Sequence, residues 1–179
     1  MPRSEWDAVP GGVGLLARKP IGIQQITASV PRAELVRAGE PDLLAEGRLL
    51  HAAVPLGTGR QIVHILVYYG FSGARSGNSV AKALNEDGIR QTLRLASAFA
   101  DEPVIVAGDL NDCPESSAAL AAAVQSGEWN DLAMAHAEAR ETLARPTFHQ
   151  AGAAPRLDLA VGNPVATAAL AEAHTASID

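Results

Sequence analysis

Residues 104–112 read VIVAGDLND, a short apolar run that ends at a glycine and is followed at once by acidic and amide side chains. The β-branched run predicts a buried strand, and Gly108 predicts the turn at its end. Because side chains alternate along an extended segment, Asp109 and Asn111 are expected to point to one side while Leu110 packs behind them. A carboxylate and a carboxamide would then face one cleft at a strand end, where a fold can hold polar groups rigidly.

The segments on either side predict an α/β domain. Apolar alternation bounded by turn residues predicts strands over 11–18, 21–29, 48–56, 61–69, 147–150 and 156–162. The Gly-Thr-Gly between the third and fourth of these is a hairpin signal. Helical spacing predicts a helix over Val80 to Ala100, with a kink expected at Gly88, and a second helix that begins at Ser116 or Ser117 and ends before Gly127. This order of strands and helices is typical of an α/β fold.

The composition indicates one globular domain with a negative surface. A chain of 179 residues, 47% of them hydrophobic, can bury a substantial core. Its formal net charge of -6 gives no general attraction to a polyanion, so contact with nucleic acid would have to be local. The basic residues nearest the strand end at Asp109 are Arg18, Lys19, Arg75, Arg145 and Arg156.

Cysteine usage and hydropathy favour a soluble protein of the cytoplasm or nucleus. Cys113 is the one cysteine in the sequence, so neither an internal disulfide nor a thiolate metal cluster is expected. The N-terminal residues lack the apolar core of a signal peptide, and no run approaches the roughly 18 apolar residues that span a bilayer.

Four motifs together resemble the endonuclease/exonuclease/phosphatase superfamily. They are GGVGLLARK at 11–19, VYYGFSGA at 67–74, GDLND at 108–112, and a Thr-Phe pair followed by RLDLAVGN at 156–163. Their order matches the family, and the resemblance covers nearly the whole chain. It implies a two-sheet α/β sandwich of the DNase I-like kind, flanked by helices, with the site where strand ends meet.

The resemblance also implies roles for four residues. Asp109 would position or deprotonate the attacking water or help to hold a metal ion, and Asn111 would hydrogen-bond the phosphoryl group and share the metal. Tyr68 would donate its hydroxyl to a phosphate oxygen, and Asp158 would orient a catalytic histidine. The implied cofactor is Mg²⁺ or Mn²⁺, since hard divalent cations prefer carboxylate and amide oxygens.

Compared with the family, the chain lacks two chemical groups. The metal-binding Glu of the family lies on a strand before the GGVGLL segment, and Glu5 and Asp7 match no motif. The histidine that closes the family downstream of the RLD motif is missing too, and we consider His149 and His174 as substitutes. We therefore expect a single domain over residues 1–179 that is incomplete at both ends and lacks the first strands of the fold.

These features predict metal-dependent hydrolysis of phosphodiester bonds, with DNA as the partner and an endonuclease associated with reverse transcriptases as the nearest type. Two alternatives remain open. One is a phosphatase or phosphodiesterase acting on a small phosphorylated substrate, which the acidic net charge favours. The other is a catalytically inactive remnant that binds a phosphate ligand or a protein partner.

Overall fold

The computed structural model describes residues 12–16, 22–25, 36–56, 61–143, 146–147 and 156–176, with the backbone alone for residues 56, 61 and 171–176. The strands in these ranges are β1 Gln24–Gln25, β2 Leu49–Leu56, β3 Gln61–Tyr68, β4 Val104–Asp109, β5 Asn130–Asp131 and β6 Asp158–Gly162. The helices are α1 Ser79–Ser97, α2 Ala118–Gln125, α3 Leu132–Ala139 and α4 Pro164–Ala176. These elements confirm the predicted α/β class.

The strands form one mixed sheet in the order β1-β2-β3-β4-β6-β5. β2 and β3 pair antiparallel along their whole length, from Leu49 opposite Tyr68 to Leu56 opposite Gln61, which confirms the predicted hairpin. β3 and β4 run parallel and are connected through α1, because parallel neighbours need a crossover. β6 then pairs antiparallel with β4, so the chain segments that end at Tyr68 and Asp109 and the one that begins at Asp158 meet at one end of the sheet.

Helix α1 packs on one face of this sheet and closes the core. The cluster of buried side chains between the helix and the sheet includes Ile89 and Leu93 of the helix. From the strands it includes Leu49, Leu66, Tyr68, Val104, Val106 and Val161. The helix begins at an N-cap in which the Asn78 Oδ1 accepts a hydrogen bond from Ala81 N at 3.0 Å.

The helix α1 continues through Gly88, the position at which the sequence predicts a kink. The glycine serves packing instead: a Cβ at this position would lie 2.3 Å from the Tyr68 hydroxyl. A residue that weakens an isolated helix is retained here because the sheet comes close at that point.

The opposite face of the sheet carries apolar side chains that are only partly buried. They are Leu50, Val54, Ile65, Val67, Ile105, Ala107 and Ala160. Within the described ranges the strands form one sheet rather than the two packed sheets that the resemblance implied.

Two further predictions concern the strand over residues 11–18 and the hairpin over residues 147–162. Residues 12–16, predicted as part of a strand, are not in one, and among the described N-terminal residues strand pairing is limited to β1. Alternation alone does not make a strand without a neighbour to supply hydrogen bonds. The hairpin predicted over 147–162 is described only at Thr147 and from Arg156 onward, and Phe148 to Gln150 lie outside the described residues.

None of the helices in the described part of the chain has the length and apolarity needed to cross a bilayer.

Candidate active site

Two carboxylates face each other where β4 ends and β6 begins. Asp109, the last residue of β4, is the register partner of Asp158, the first residue of β6. Directly opposite residues of antiparallel strands project from the same face, so the two side chains are neighbours. Ala107 on this face pairs with Val67, whereas Tyr68 points the other way, toward α1. The carboxylates therefore lie on the sheet face that α1 does not cover.

The surroundings of Asp109 make it a stronger base than an ordinary aspartate. Burial raises the pKa of Asp109, a hydrogen bond from the Asn111 backbone N–H acts against this rise, and the negative charge of Asp158 adds to it. Asp109 is half-buried while Asp158 is exposed. A carboxylate with a raised pKa keeps a proton that it has accepted up to a higher pH than an ordinary aspartate does.

The loop after β4 fixes Asn111 beside this pair. Asn111 adopts φ +50°, a left-handed conformation that asparagine tolerates better than most residues. Its backbone N donates to Asp109 Oδ1 at 3.0 Å, and its side-chain Nδ2 donates to Gly70 O at 3.1 Å. Leu110 is buried behind the loop, as the sequence predicts.

The structure does not bring Tyr68 to the carboxylates. Its side chain is 1% exposed, and its hydroxyl donates to Asn85 Oδ1 at 3.1 Å beneath α1. Burial raises the pKa of Tyr68, so the hydroxyl stays protonated and acts as a donor. Strand alternation causes this placement, because Leu66 and Tyr68 share the helix-covered face. Tyr68 thus belongs to the framework beneath the site, and the expected contact of its hydroxyl with phosphate gains no support from this geometry.

A buried asparagine that the sequence analysis did not single out joins the two loops of the site. Asn85, on α1, accepts from Phe71 N at 2.9 Å and donates to Leu110 O at 2.9 Å, in addition to its bond with Tyr68. The sequence does contain a signal for it, since Asn85 is a polar residue four positions from both Ala81 and Ile89 on the buried stripe of the helix.

Arg48 fixes the loop after β3 from the other side. Its Nη1 donates to Gly70 O at 3.0 Å and to Tyr69 O at 3.3 Å, and its guanidinium lies 4.1 Å from the Phe71 ring centroid. Its Nε also pairs with Glu46 at 3.1 Å. The Arg48 guanidinium is therefore bonded to backbone carbonyl groups of the protein.

Arg156, the predicted basic residue closest in sequence to Asp158, is held in an ion pair. Its Nη1 donates to Asp131 Oδ1 at 3.0 Å, and its Nη2 donates to Asp131 Oδ2. The hydrogen bonds to Asp131 raise the pKa of Arg156, and both side chains are largely buried. Arg75 is exposed, and Arg18, Lys19 and Arg145 lie outside the described residues.

The backbone around Asp158 is tied to the Thr-Phe segment, as the motif order suggests. Thr147 Oγ1 accepts from Leu157 N at 2.9 Å and from Asp158 N at 3.0 Å. The next histidine, His149, lies outside the described residues, as do Glu5 and Asp7, and His174 lies on α4 where side chains are not described.

The donor set at the strand end suits a hard divalent cation. No group of three or more His, Cys, Asp or Glu side chains in the described ranges is arranged to hold a metal ion. Mg²⁺, however, keeps several waters and is commonly held by one or two carboxylates. Asp109 offers one such carboxylate, and the negative charge of Asp158, which contributes to the raised pKa of Asp109, favours a cation beside it.

The chain matches the Endonuclease/Exonuclease/phosphatase family over residues 4–176 and therefore belongs to that family. This match confirms the resemblance carried by the GDLND and RLD motifs. A comparison with curated proteins found no match.

The chain is also similar to several solved structures. Humanized D. rerio TDP2 aligns with TM-score 0.41 and 18% identity over 64% of this chain and 41% of that one. The human Nocturnin catalytic domain aligns with TM-score 0.43 and 17% identity, covering 66% and 42%. Beta toxin from Staphylococcus aureus aligns with TM-score 0.41 and 13% identity, covering 73% and 48%. The chain spans less than half the length of each.

Proposed function

We propose that this chain hydrolyses phosphodiester bonds at the end of the sheet where β4 and β6 meet. The observation that carries the proposal is the direct opposition of Asp109 and Asp158, with the Asn111 backbone N–H bonded to Asp109 and its carboxamide bonded to Gly70 O. Membership of the Endonuclease/Exonuclease/phosphatase family supports phosphate-ester hydrolysis as the reaction class.

Each of the three side chains has a role that its chemistry allows. Asp109 accepts a proton from the attacking water, a task helped by a pKa raised toward the working pH. Asn111 gives one amide hydrogen to Gly70 O, and we assign its second amide hydrogen to a phosphoryl oxygen, where charge develops in the transition state. Asp158 is assigned to orient an imidazole, the role that the family resemblance implies.

Asp109 and Asn111 are the oxygen donors that we assign to a divalent cation, with Mg²⁺ or Mn²⁺ as the proposed cofactor. When bound, such an ion supplies charge stabilisation at the phosphoryl oxygens. The protein contributes the rigid placement of both donors, since the Asn111 backbone is bonded to the Asp109 carboxylate and its side chain to the neighbouring loop.

DNA is the substrate that the motif resemblance favours, and we propose endonuclease activity on that ground. The contacts of Arg156 and Arg48 favour the alternative, a small phosphodiester. Both arginines are engaged by an acidic partner within the protein, and the net charge is -6. An extended polyanion is usually bound through several basic side chains that contact its phosphates.

The experiment is hydrolysis of bis(p-nitrophenyl) phosphate and of supercoiled plasmid DNA in Mg²⁺ or Mn²⁺, with wild type, Asp109→Asn and Asp101→Asn. Asp101 is an exposed acid at the other end of β4, so its variant makes the same charge change away from the site. We expect hydrolysis that Asp109→Asn lowers by about 100-fold or more and Asp101→Asn leaves unchanged. Nicking of the plasmid assigns DNA, and hydrolysis of the small ester alone assigns a small substrate. Equal rates in wild type and Asp109→Asn would refute the proposal.

A further inference from the structure

Two loops must hold a fixed relative position for the candidate site to exist. The loop after β3 and the loop after β4 meet at Gly70, whose N donates to Asp109 O at 2.8 Å and whose O accepts from Asn111 Nδ2 at 3.1 Å. The approach is close enough that a Cβ on Gly70 would lie 2.3 Å from Leu110 O. The two loops are therefore in direct backbone contact at Gly70.

Asn85 is the one side chain of α1 that the structure shows bonded to both loops. It is completely buried, with Oδ1 accepting from Phe71 N in the loop after β3 and Nδ2 donating to Leu110 O in the loop after β4. Leu110 lies between Asp109 and Asn111, so a shift of its carbonyl rotates the peptide that carries Asn111. Water cannot easily replace these bonds at a fully buried position.

We propose that Asn85 is a positioning residue for hydrolysis, acting through Leu110 on Asn111 and Asp109. The inference rests on the function proposed above for the strand-end site. Asn85 itself does not face the carboxylates, since it lies with Tyr68 on the helix-covered side of the sheet. Its carboxamide holds the two loops at the spacing that the reaction requires, and a misplacement of about 1 Å can cost about 100-fold in rate.

A second buried asparagine provides the matched control. Asn163 is 4% exposed and accepts from Val104 N at 3.0 Å and from Ala166 N at 2.9 Å. Its Nδ2 donates to Glu102 O at 2.8 Å. It therefore makes the same kind of buried contacts as Asn85, but at the start of β4 rather than at its end.

The test compares Asn85→Asp with Asn163→Asp. Each change keeps the side-chain shape, keeps acceptor oxygens and removes the amide donor. We expect Asn85→Asp to lower kcat by about 10- to 100-fold with little change in KM, and Asn163→Asp to change kcat less than about twofold. All rates are measured at least about 15 °C below the lower of the two melting temperatures, so that global unfolding does not contribute.

Amide hydrogen exchange gives a readout that does not depend on activity. We expect the peptide covering residues 108–112 to exchange at least about tenfold faster in Asn85→Asp, and not in Asn163→Asp. If the wild-type protein shows no hydrolysis and the variants show this exchange pattern, the proposed function is refuted and the loop-positioning role of Asn85 stands. Unchanged exchange, or a kcat loss that is equal in both variants, would overturn the inference. Should Asn85→Asp fail to fold, Asn85→Ser and Asn163→Ser are compared in the same way.

Discussion

Asp109 and Asp158 are register partners at the end of the β4–β6 pairing, so the carboxylate of the GDLND motif and that of the RLD motif share one sheet face. Forty-nine positions apart in sequence, they become neighbours because β6 returns antiparallel to β4. The negative charge of Asp158 raises the pKa of Asp109, after the larger effect of burial.

The left-handed backbone of Asn111 allows its chemical and conformational roles to be separated. Both Asn111→Gly and Asn111→Ala remove the carboxamide, so we expect each to lower kcat by about 100-fold. Only the alanine is strained at φ +50°, and it should lose about 1 kcal/mol more stability than the glycine. Chemical denaturation and steady-state kinetics on both variants measure the two effects. Retained activity in the glycine variant would show that the carboxamide has no role in the reaction.

The contact between Gly88 and Tyr68 makes a normally favourable helix substitution unfavourable. Gly→Ala in a helix interior usually stabilises by about 1 kcal/mol. Here the new Cβ would lie 2.3 Å from the Tyr68 hydroxyl, so we expect Gly88→Ala to destabilise the fold by about 1–3 kcal/mol. Adding Tyr68→Phe removes the clashing oxygen and should recover part of the loss. A Gly88→Ala variant that melts above wild type would contradict this packing.

Arg156 is predicted to act on stability rather than on substrate affinity. Arg156→Gln leaves Asp131 with a buried charge and without its bidentate partner, which should cost about 3 kcal/mol. The double variant with Asp131→Asn should recover much of that loss, while KM for a small phosphodiester stays unchanged. A several-fold rise in KM with an unchanged melting temperature would instead place Arg156 on the substrate phosphate.

A buried histidine pair predicts acid sensitivity of the fold. His51 Nε2 lies 2.9 Å from His64 Nδ1, and burial together with the His64 ring lowers the pKa of His51 to about 4. The unfolded chain takes up this proton near pH 6.5 while the folded chain resists it, so stability falls as the pH drops from about 6.5 toward 4. Replacing the titrating ring in His51→Phe should flatten the dependence of melting temperature on pH in that window. An equal slope in both proteins would contradict the assignment.

The local features of the site could be predicted from sequence. The run from Val104 to Leu110 specifies a buried strand and a turn through residues adjacent in the chain, and the structure confirms the strand, the loop and the burial of Leu110. The hairpin of β2 and β3 could also be predicted from sequence, because a Gly-rich turn between two alternating segments determines how the two strands pair.

The long-range features could not be predicted in the same way. Tyr68 and Tyr69 are adjacent, and which of them faces the helix depends on which face of β3 packs against α1. That packing is a tertiary property. The packing role of Gly88 cannot be inferred from sequence, because its contact with Tyr68 joins residues 20 positions apart. The role of Asn85 cannot be inferred either, because its partners, Phe71 and Leu110, come from two different loops.

We propose that Asp109 and Asp158 act as one electrostatically coupled pair in phosphodiester hydrolysis. The most direct test is the pH dependence of kcat/KM for bis(p-nitrophenyl) phosphate in wild type, Asp158→Asn and Asp101→Asn. In the proposed reaction Asp109 must be ionised both to accept a proton and to hold a cation, so the rate should fall at low pH, where Asp109 becomes protonated. Removing the charge of Asp158 should move this acid limb to lower pH in the residual activity, and Asp101→Asn should leave it in place. An acid limb at the same pH in all three proteins, or no hydrolysis above that of Asp109→Asn, would contradict the claim.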